Sequence, residues 1–223
     1  MPELVCRVGR LPEKYAYDGF RLERRGFLSV FSFAVSDRKR RQELMERGAA
    51  VIILPVDRAN RKLYLIEQPR HSKAFVQTPS GREAVKKIMA EGPARPFEAG
   101  ADKALALELP AGMIDGEEKP AQAAARELAE ETGLDVAPDR LTEIKTFFTS
   151  FGGCTETITG FIADVGDGTP RVTACGDGEE TIAVWKYGWD EAFELARAGR
   201  IESGPTILML QALELGELRA KRG

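Results

Sequence analysis

One histidine and three cysteines are all that this chain of 223 residues has in the way of nitrogen and sulfur metal ligands. Cys6, Cys154 and Cys175 are an odd number without C-x-x-C spacing, so they frame neither a disulfide set nor a zinc site. His71 alone cannot supply a metal cluster, and no G-x-S-x-G elbow signals a serine triad. Any metal acting here must be held by oxygens. Net positive charge is also missing: 32 Lys and Arg stand against 35 Asp and Glu, a balance of -3. That excludes the electrostatic footprint of a nucleic-acid binder, and the short basic run Arg38–Arg41 reads as a solvated turn. The chain has no run of 18 apolar residues and no N-terminal apolar stretch of signal-peptide length, so the expectation is a cytoplasmic protein with no membrane partner.

What is present is enough for a core. Hydrophobic residues make up 43% and charged residues 30%, a balance that can bury apolar surface and stay dissolved. Residues 1–48 form a first section with strand-like runs at Phe20–Leu22 and Phe27–Val35, followed by the charged segment DRKRRQELMERG. At Ala49 a second section starts with AAVIILPV, an apolar run ended by Pro55, and then KLYLIEQ at 62–68; the spacer Asp57–Asn60 suits a hairpin. Further strands are expected at 105–109, 144–150, 156–165 and 181–187, and helices at about 119–132, 189–198 and 205–220. Strands mixed with a few helices at irregular intervals predict an α/β or α+β layer fold rather than a doubly wound sheet. Residues 72–103 are rich in Gly, Pro, Ala and charge, with one short helical stretch, REAVKKIMAE; an insertion of that length reads as a lid or a disordered loop.

The stretch GMIDGEEKPAQAAARELAEETGL (112–134) holds one helix whose design is mostly structural. Pro120 suits the first turn, Ala121, Ala124, Ala125, Leu128 and Thr132 make an apolar stripe, and Gly133 suits a left-handed C-terminal cap. The carboxylates are not explained this way. Glu127, Glu130 and Glu131 stand at i, i+3 and i+4, on one side of the helix, where like charges repel. They also sit near its C-terminal end, where the macrodipole disfavours anions. Clustered carboxylates suit a hard cation such as Mg²⁺.

The same stretch resembles the Nudix box, Gly-x5-Glu-x7-Arg-Glu-U-x-Glu-Glu-x-Gly-U, with Gly112, Glu118, Arg126, Glu127, Leu128, Glu130, Glu131, Gly133 and Leu134 in the nine specified positions. The resemblance implies an α/β fold, the Nudix α/β/α sandwich around a mixed sheet, here over residues 49–223 with the β-rich segment 1–48 in front. It implies hydrolysis of a nucleoside diphosphate linked to another moiety, with Mg²⁺ or Mn²⁺ as cofactor. Glu127, Glu130 and Glu131 would be metal ligands together with the Ala111 carbonyl. Arg126 would orient the glutamates, and Glu118 would fix the loop.

A broader likeness in LIEQPRH (65–71), ELPAGMID (108–115), SFGGCTE (150–156) and RIESGPTILMLQAL (200–213) is similar to the ADP-ribose pyrophosphatase and nucleotide-sugar branch. It implies a homodimer joined through the first section, with Phe27 stacked on the base. The substrate-facing set would also include Arg70, Glu43, Gly112, Met113 and Glu156. The catalytic base would come from the loop CGDGEETIAV, at Glu180 or Glu179, with Glu180 also a candidate metal ligand. Gln42-Glu43 stands where the branch has an Arg-Glu pair, which departs from the pattern. Two other readings stay open: a non-catalytic ADP-ribose sensor, and an enzyme for dinucleoside polyphosphates.

Overall fold

The computed structural model describes residues 14–36, 38–92, 96–166, 168 and 181–220. Cys6, Cys175, Glu179 and Glu180 lie outside them. The chain divides into two compact units, Met1–Gly48 with Phe148–Glu156, and Ala49–Phe147 with Thr157–Gly223.

The first unit is an antiparallel meander of β1 (Tyr17–Arg24), β2 (Ser29–Val35) and β3 (Gln42–Glu46). Phe33 anchors it: the rings of Tyr17, Phe20 and Phe31 each stand 5.9 Å from its ring. Two expectations are corrected here. β2 starts at Ser29, leaving Phe27 in the preceding bend, and the charged segment contains β3, which pairs Gln42–Glu46 with Ser29–Phe33. Polar side chains hid that strand because it is held by backbone pairing, to β2 along one edge and through Met45 N to Gly153 O at 2.8 Å and Thr155 N to Met45 O at 3.0 Å on the other.

The second unit is built on a sheet of seven strands. β4 (Ala49–Asp57) lies centrally, parallel to β9 (Thr157–Asp164) and antiparallel to β5 (Lys62–Pro69) and to the short β7 (Ala111–Met113). β10 (Ala183–Gly188) and β6 (Leu105–Glu108) both pair with β5, and β8 (Leu141–Phe148) lies at the far end of the order. Both faces of β4 are covered, which is why its sequence is a continuous apolar run rather than an alternation. The strand runs two residues past Pro55. Its turn is closed by the buried Asp57 carboxylate, which accepts from Asn60 N at 3.0 Å and Asn60 Nδ2 at 2.7 Å.

Alternate residues of the strands feed two cores. Ile52, Leu54, Leu63, Leu65 and Leu109 pack with Trp189 and Phe193 of α4 (Trp189–Arg197) and with Met209 and Leu210 of α5 (Gly204–Ala220). Val51, Ile53, Tyr64 and Phe161 pack on the other face against Ala123, Ala124 and Leu128 of α3 (Pro120–Thr132). This is an α/β/α sandwich on a mixed sheet.

The 72–103 insertion is largely helical. It carries α1 (His71–Gln77) and α2 (Pro79–Glu91) rather than one short helical stretch. Thr78 joins them: its hydroxyl donates to Ala74 O at 2.8 Å and accepts from Gly81 N at 3.0 Å. The excursion closes on itself, because Arg70 N donates to Ala104 O at 2.7 Å beside the Pro69–Leu105 pair of β5 and β6. A seven-residue helix flanked by Thr-Pro is too short for periodicity to separate from loop.

Candidate active site

α3 starts and stops as its sequence dictates. Lys119 N donates to the Gln122 side chain at 3.0 Å, Pro120 opens the first turn, and Gly133 closes the last at φ 67. The buried stripe is rotated from the expected one: Ala123, Ala124, Leu128, Glu131 and Thr132 are buried. The three carboxylates are therefore not equivalent. Glu131 is 6% exposed, while the Glu127 and Glu130 side chains are 13% and 53% exposed.

Arg126 gathers the site. Its Nε and Nη2 donate to the two oxygens of Glu118 at 3.2 and 3.0 Å. Nη1 donates to Glu127 at 2.8 Å and Glu130 at 3.0 Å, and Nη2 also reaches Met113 O at 3.0 Å. One guanidinium thus ties the loop before the helix to two turns of the helix itself, using its planar fork. These bonds raise the Arg126 pKa and hold the Glu118 carboxyl below its usual range.

Gly112 explains itself by a close approach. A Cβ there would lie 1.9 Å from Glu127 Oε1, so any other residue at this position would have to displace the Glu127 carboxylate. Beside it, Ala111 N donates to Glu131 Oε2 at 2.8 Å. Burial pushes the Glu131 pKa up to about 8; the Ala111 N–H and Arg70 oppose the shift, and the charges of Glu127 and Glu108 add to it. Burial also raises Glu127, against the pull of Arg126.

Among the described residues, no three Asp, Glu, His or Cys side chains are gathered so as to hold an ion. The donor chemistry nevertheless fits a hard divalent cation. Glu127 and Glu131 are desolvated carboxylates in one another's field, and both are pushed towards their protonated forms. A cation of oxygen preference would relieve that cost.

Glu108, on β6, escaped the sequence reading. It is 9% exposed and accepts from Arg70 Nε at 2.6 Å and Gln68 Nε2 at 3.0 Å. Its signal was a glutamate inside the apolar run LALEL. Arg70, Glu108, Ala111, Gly112, Met113, Arg126, Glu127, Glu130 and Glu131 all belong to the second unit. Phe27, Glu43 and Glu156 belong to the first. There Phe27 is 77% exposed with the Arg47 guanidinium 5.3 Å from its ring centre, and Arg47 pairs at 3.1 Å with the buried Glu156. Glu43 is exposed on β3. Glu179 and Glu180 lie outside the described residues.

Residues 89–207 match the family model described as NUDIX domain. A GDP-mannose pyrophosphatase of Salmonella arizonae is 36% identical over 119 residues, 53% of this chain; the chain spans only 61% of that relative's length. An ADP-ribose pyrophosphatase of Escherichia coli O6:H1 is 27% identical over 215 residues, 96% of this chain and 88% of its own. Among solved structures, an ADP compounds hydrolase superposes with a TM-score of 0.66 at 19% identity, covering 96% of this chain and 99% of that one; at that identity the likeness speaks for the fold. The family model runs through the box helix and the strands on either side of it, over more than half of the chain, and so the protein belongs to the Nudix family.

Proposed function

We propose that the protein hydrolyses the diphosphate linkage of ADP-ribose or a related nucleoside diphosphate sugar, releasing a nucleoside monophosphate and a sugar phosphate. The observation that carries this reading is the buried Glu131 beside Glu127, with Arg70 close enough to lower the Glu131 pKa. The names of the relatives above agree with it.

A diphosphate is a polyanion whose phosphorus atoms are shielded by their oxygens. Glu127 and Glu131, with Glu130 and the Ala111 carbonyl, would hold Mg²⁺ or Mn²⁺. Bound there, the cation supplies charge neutralisation on the diphosphate and a more acidic water. Arg126 keeps the carboxylates in place through its bonds to Glu118, Glu127 and Glu130. Arg70 offers a cation to the phosphates. Glu180 or Glu179 would take the proton of the attacking water. Phe27 would stack on the base, Glu156 would bind the terminal ribose, and Glu43, Gly112 and Met113 would contact the substrate. A homodimer fits the first unit, where every residue of β1 is exposed, Phe20 at 64% and Leu22 at 51% among them; apolar surface of this kind marks an association face.

The test is a panel of ADP-ribose, GDP-mannose, UDP-glucose, diadenosine polyphosphates and nucleoside triphosphates, each with Mg²⁺ and with chelator, with products identified. Monophosphate products from a sugar nucleotide, abolished by chelator, are expected. Binding without turnover would favour a sensor, and turnover of diadenosine polyphosphates alone would move the protein to another substrate class.

A further inference from the structure

We propose that Glu108 is a positioning residue for Arg70, fixing its guanidinium so that the Nη groups are offered to the substrate diphosphate. The inference rests on the reading of this site as a diphosphate hydrolase. It starts from a carboxylate where the strand does not call for one. Leu107 and Leu109 on either side pack into the core under α4 and α5, so by strand alternation Glu108 faces the α3 side. A carboxylate buried to this degree needs hydrogen-bond partners. Glu108 has two, and both bond the same oxygen: Gln68 Nε2, from the diagonal position on β5, and Arg70 Nε.

The bond to Arg70 uses Nε, the donor on the side of the guanidinium fork. Among the described residues no hydrogen bond or ion pair engages the Nη groups, which keep four donors for another anion. The Arg70 side chain is 43% exposed, while its pair to Glu108 lies on the buried side. Its main chain is pinned as well: Arg70 N donates to Ala104 O at 2.7 Å, and Arg70 O accepts from Lys73 N at 2.8 Å in the first turn of α1. Backbone and Nε are therefore both fixed before any ligand arrives. A long side chain that would otherwise lose rotamer freedom on binding is already ordered. The charge of Arg70 reaches Glu131, so the cation lies in the field of the box glutamates.

A double-mutant cycle tests this. Glu108→Gln keeps an oxygen that Gln68 and Arg70 can both bond but removes the charge that strengthens the hold on Arg70, so the fold should survive; its melting temperature checks that. Turnover of ADP-ribose with Mg²⁺ and calorimetric binding of inorganic pyrophosphate in chelator are the two readouts. Loss of a charge-assisted bond predicts that Glu108→Gln loses about tenfold in kcat/KM, mostly through KM, and Arg70→Ala about a hundredfold. The double variant should be no worse than Arg70→Ala in either readout. If the losses multiply in an active enzyme, Glu108 acts through something other than Arg70 and this inference falls alone. If only pyrophosphate binding is measurable, the same cycle on affinity decides. A wild-type protein that neither turns over any sugar nucleotide nor binds pyrophosphate would overturn the functional reading and this inference together.

Discussion

Glu131 shows how one residue can oppose the fold that holds it. Its ordinary pKa of 4.5 is pushed up to about 8 in the metal-free protein, so folding favours its protonated form. The stability tied to that proton is fully present below 4.5 and is lost as pH rises through 8. In chelator, Glu131→Gln should match the wild-type melting temperature at pH 5 and exceed it at pH 8.5, because the amide carries no charge to bury. Identical pH dependence of the two proteins would remove the assignment of a strained carboxylate. The same variant should lose turnover by orders of magnitude. Gly112→Ala makes a sharper case. The new Cβ would displace the Glu127 carboxylate, and a misplacement of about 1 Å costs about a hundredfold in rate. Gly112 is not among the residues at positive φ, so the fold should hold and the loss should appear in kcat; unchanged turnover would free Glu127 from its proposed role.

At the scale of elements, one contact supports the strand end that leads to Ala111. Thr206, fully buried near the start of α5, accepts from Leu109 N at 3.0 Å, two residues before Ala111. Thr206→Val leaves that buried N–H unpaired and should destabilise the protein by about 1–3 kcal/mol; Thr206→Ser should restore most of it, as read by chemical denaturation. Equal stability of Val and Thr variants would mean the bond contributes nothing net. The helical insertion depends on a close crossing instead: a Cβ at Gly81 would lie 2.6 Å from Ala74 O and 2.7 Å from Phe75 Cα. Gly81→Leu should force α2 away from α1 and raise hydrogen exchange across 71–91. Protection equal to wild type would show that the crossing can widen at no cost.

For the whole molecule, the proposed homodimer would be joined through the first unit. β1 leaves Tyr17, Phe20 and Leu22 more than half exposed, a surface that asks for a partner. Light scattering should give twice the mass of one chain. A stable monomer with full activity would rule out base stacking by a partner's Phe27.

The box was legible in the sequence because its spacing is local. Pro120, Gly133 and the i, i+3, i+4 glutamates are set by helix geometry, which needs no knowledge of the rest of the chain. The same holds for β4, whose apolar run announces burial on both faces, and for the hairpin turn at Asp57–Asn60. What periodicity misjudged was the rotation of α3. Which residues go inside depends on where the sheet lies, and Ala123 and Glu131 are buried because β4 and β7 pass there. α1 and β3 were missed for a related reason: short elements are stabilised by neighbours far along the chain rather than by their own pattern. The pairing of Glu108 with Arg70, separated by 38 positions in sequence, belongs to the same class. Local rules determined that this chain has a helix bearing three glutamates behind a glycine loop. Only long-range packing decided which glutamate is buried, which guanidinium ties the others, and which arginine stands beside them, because desolvation and ion pairing act across space.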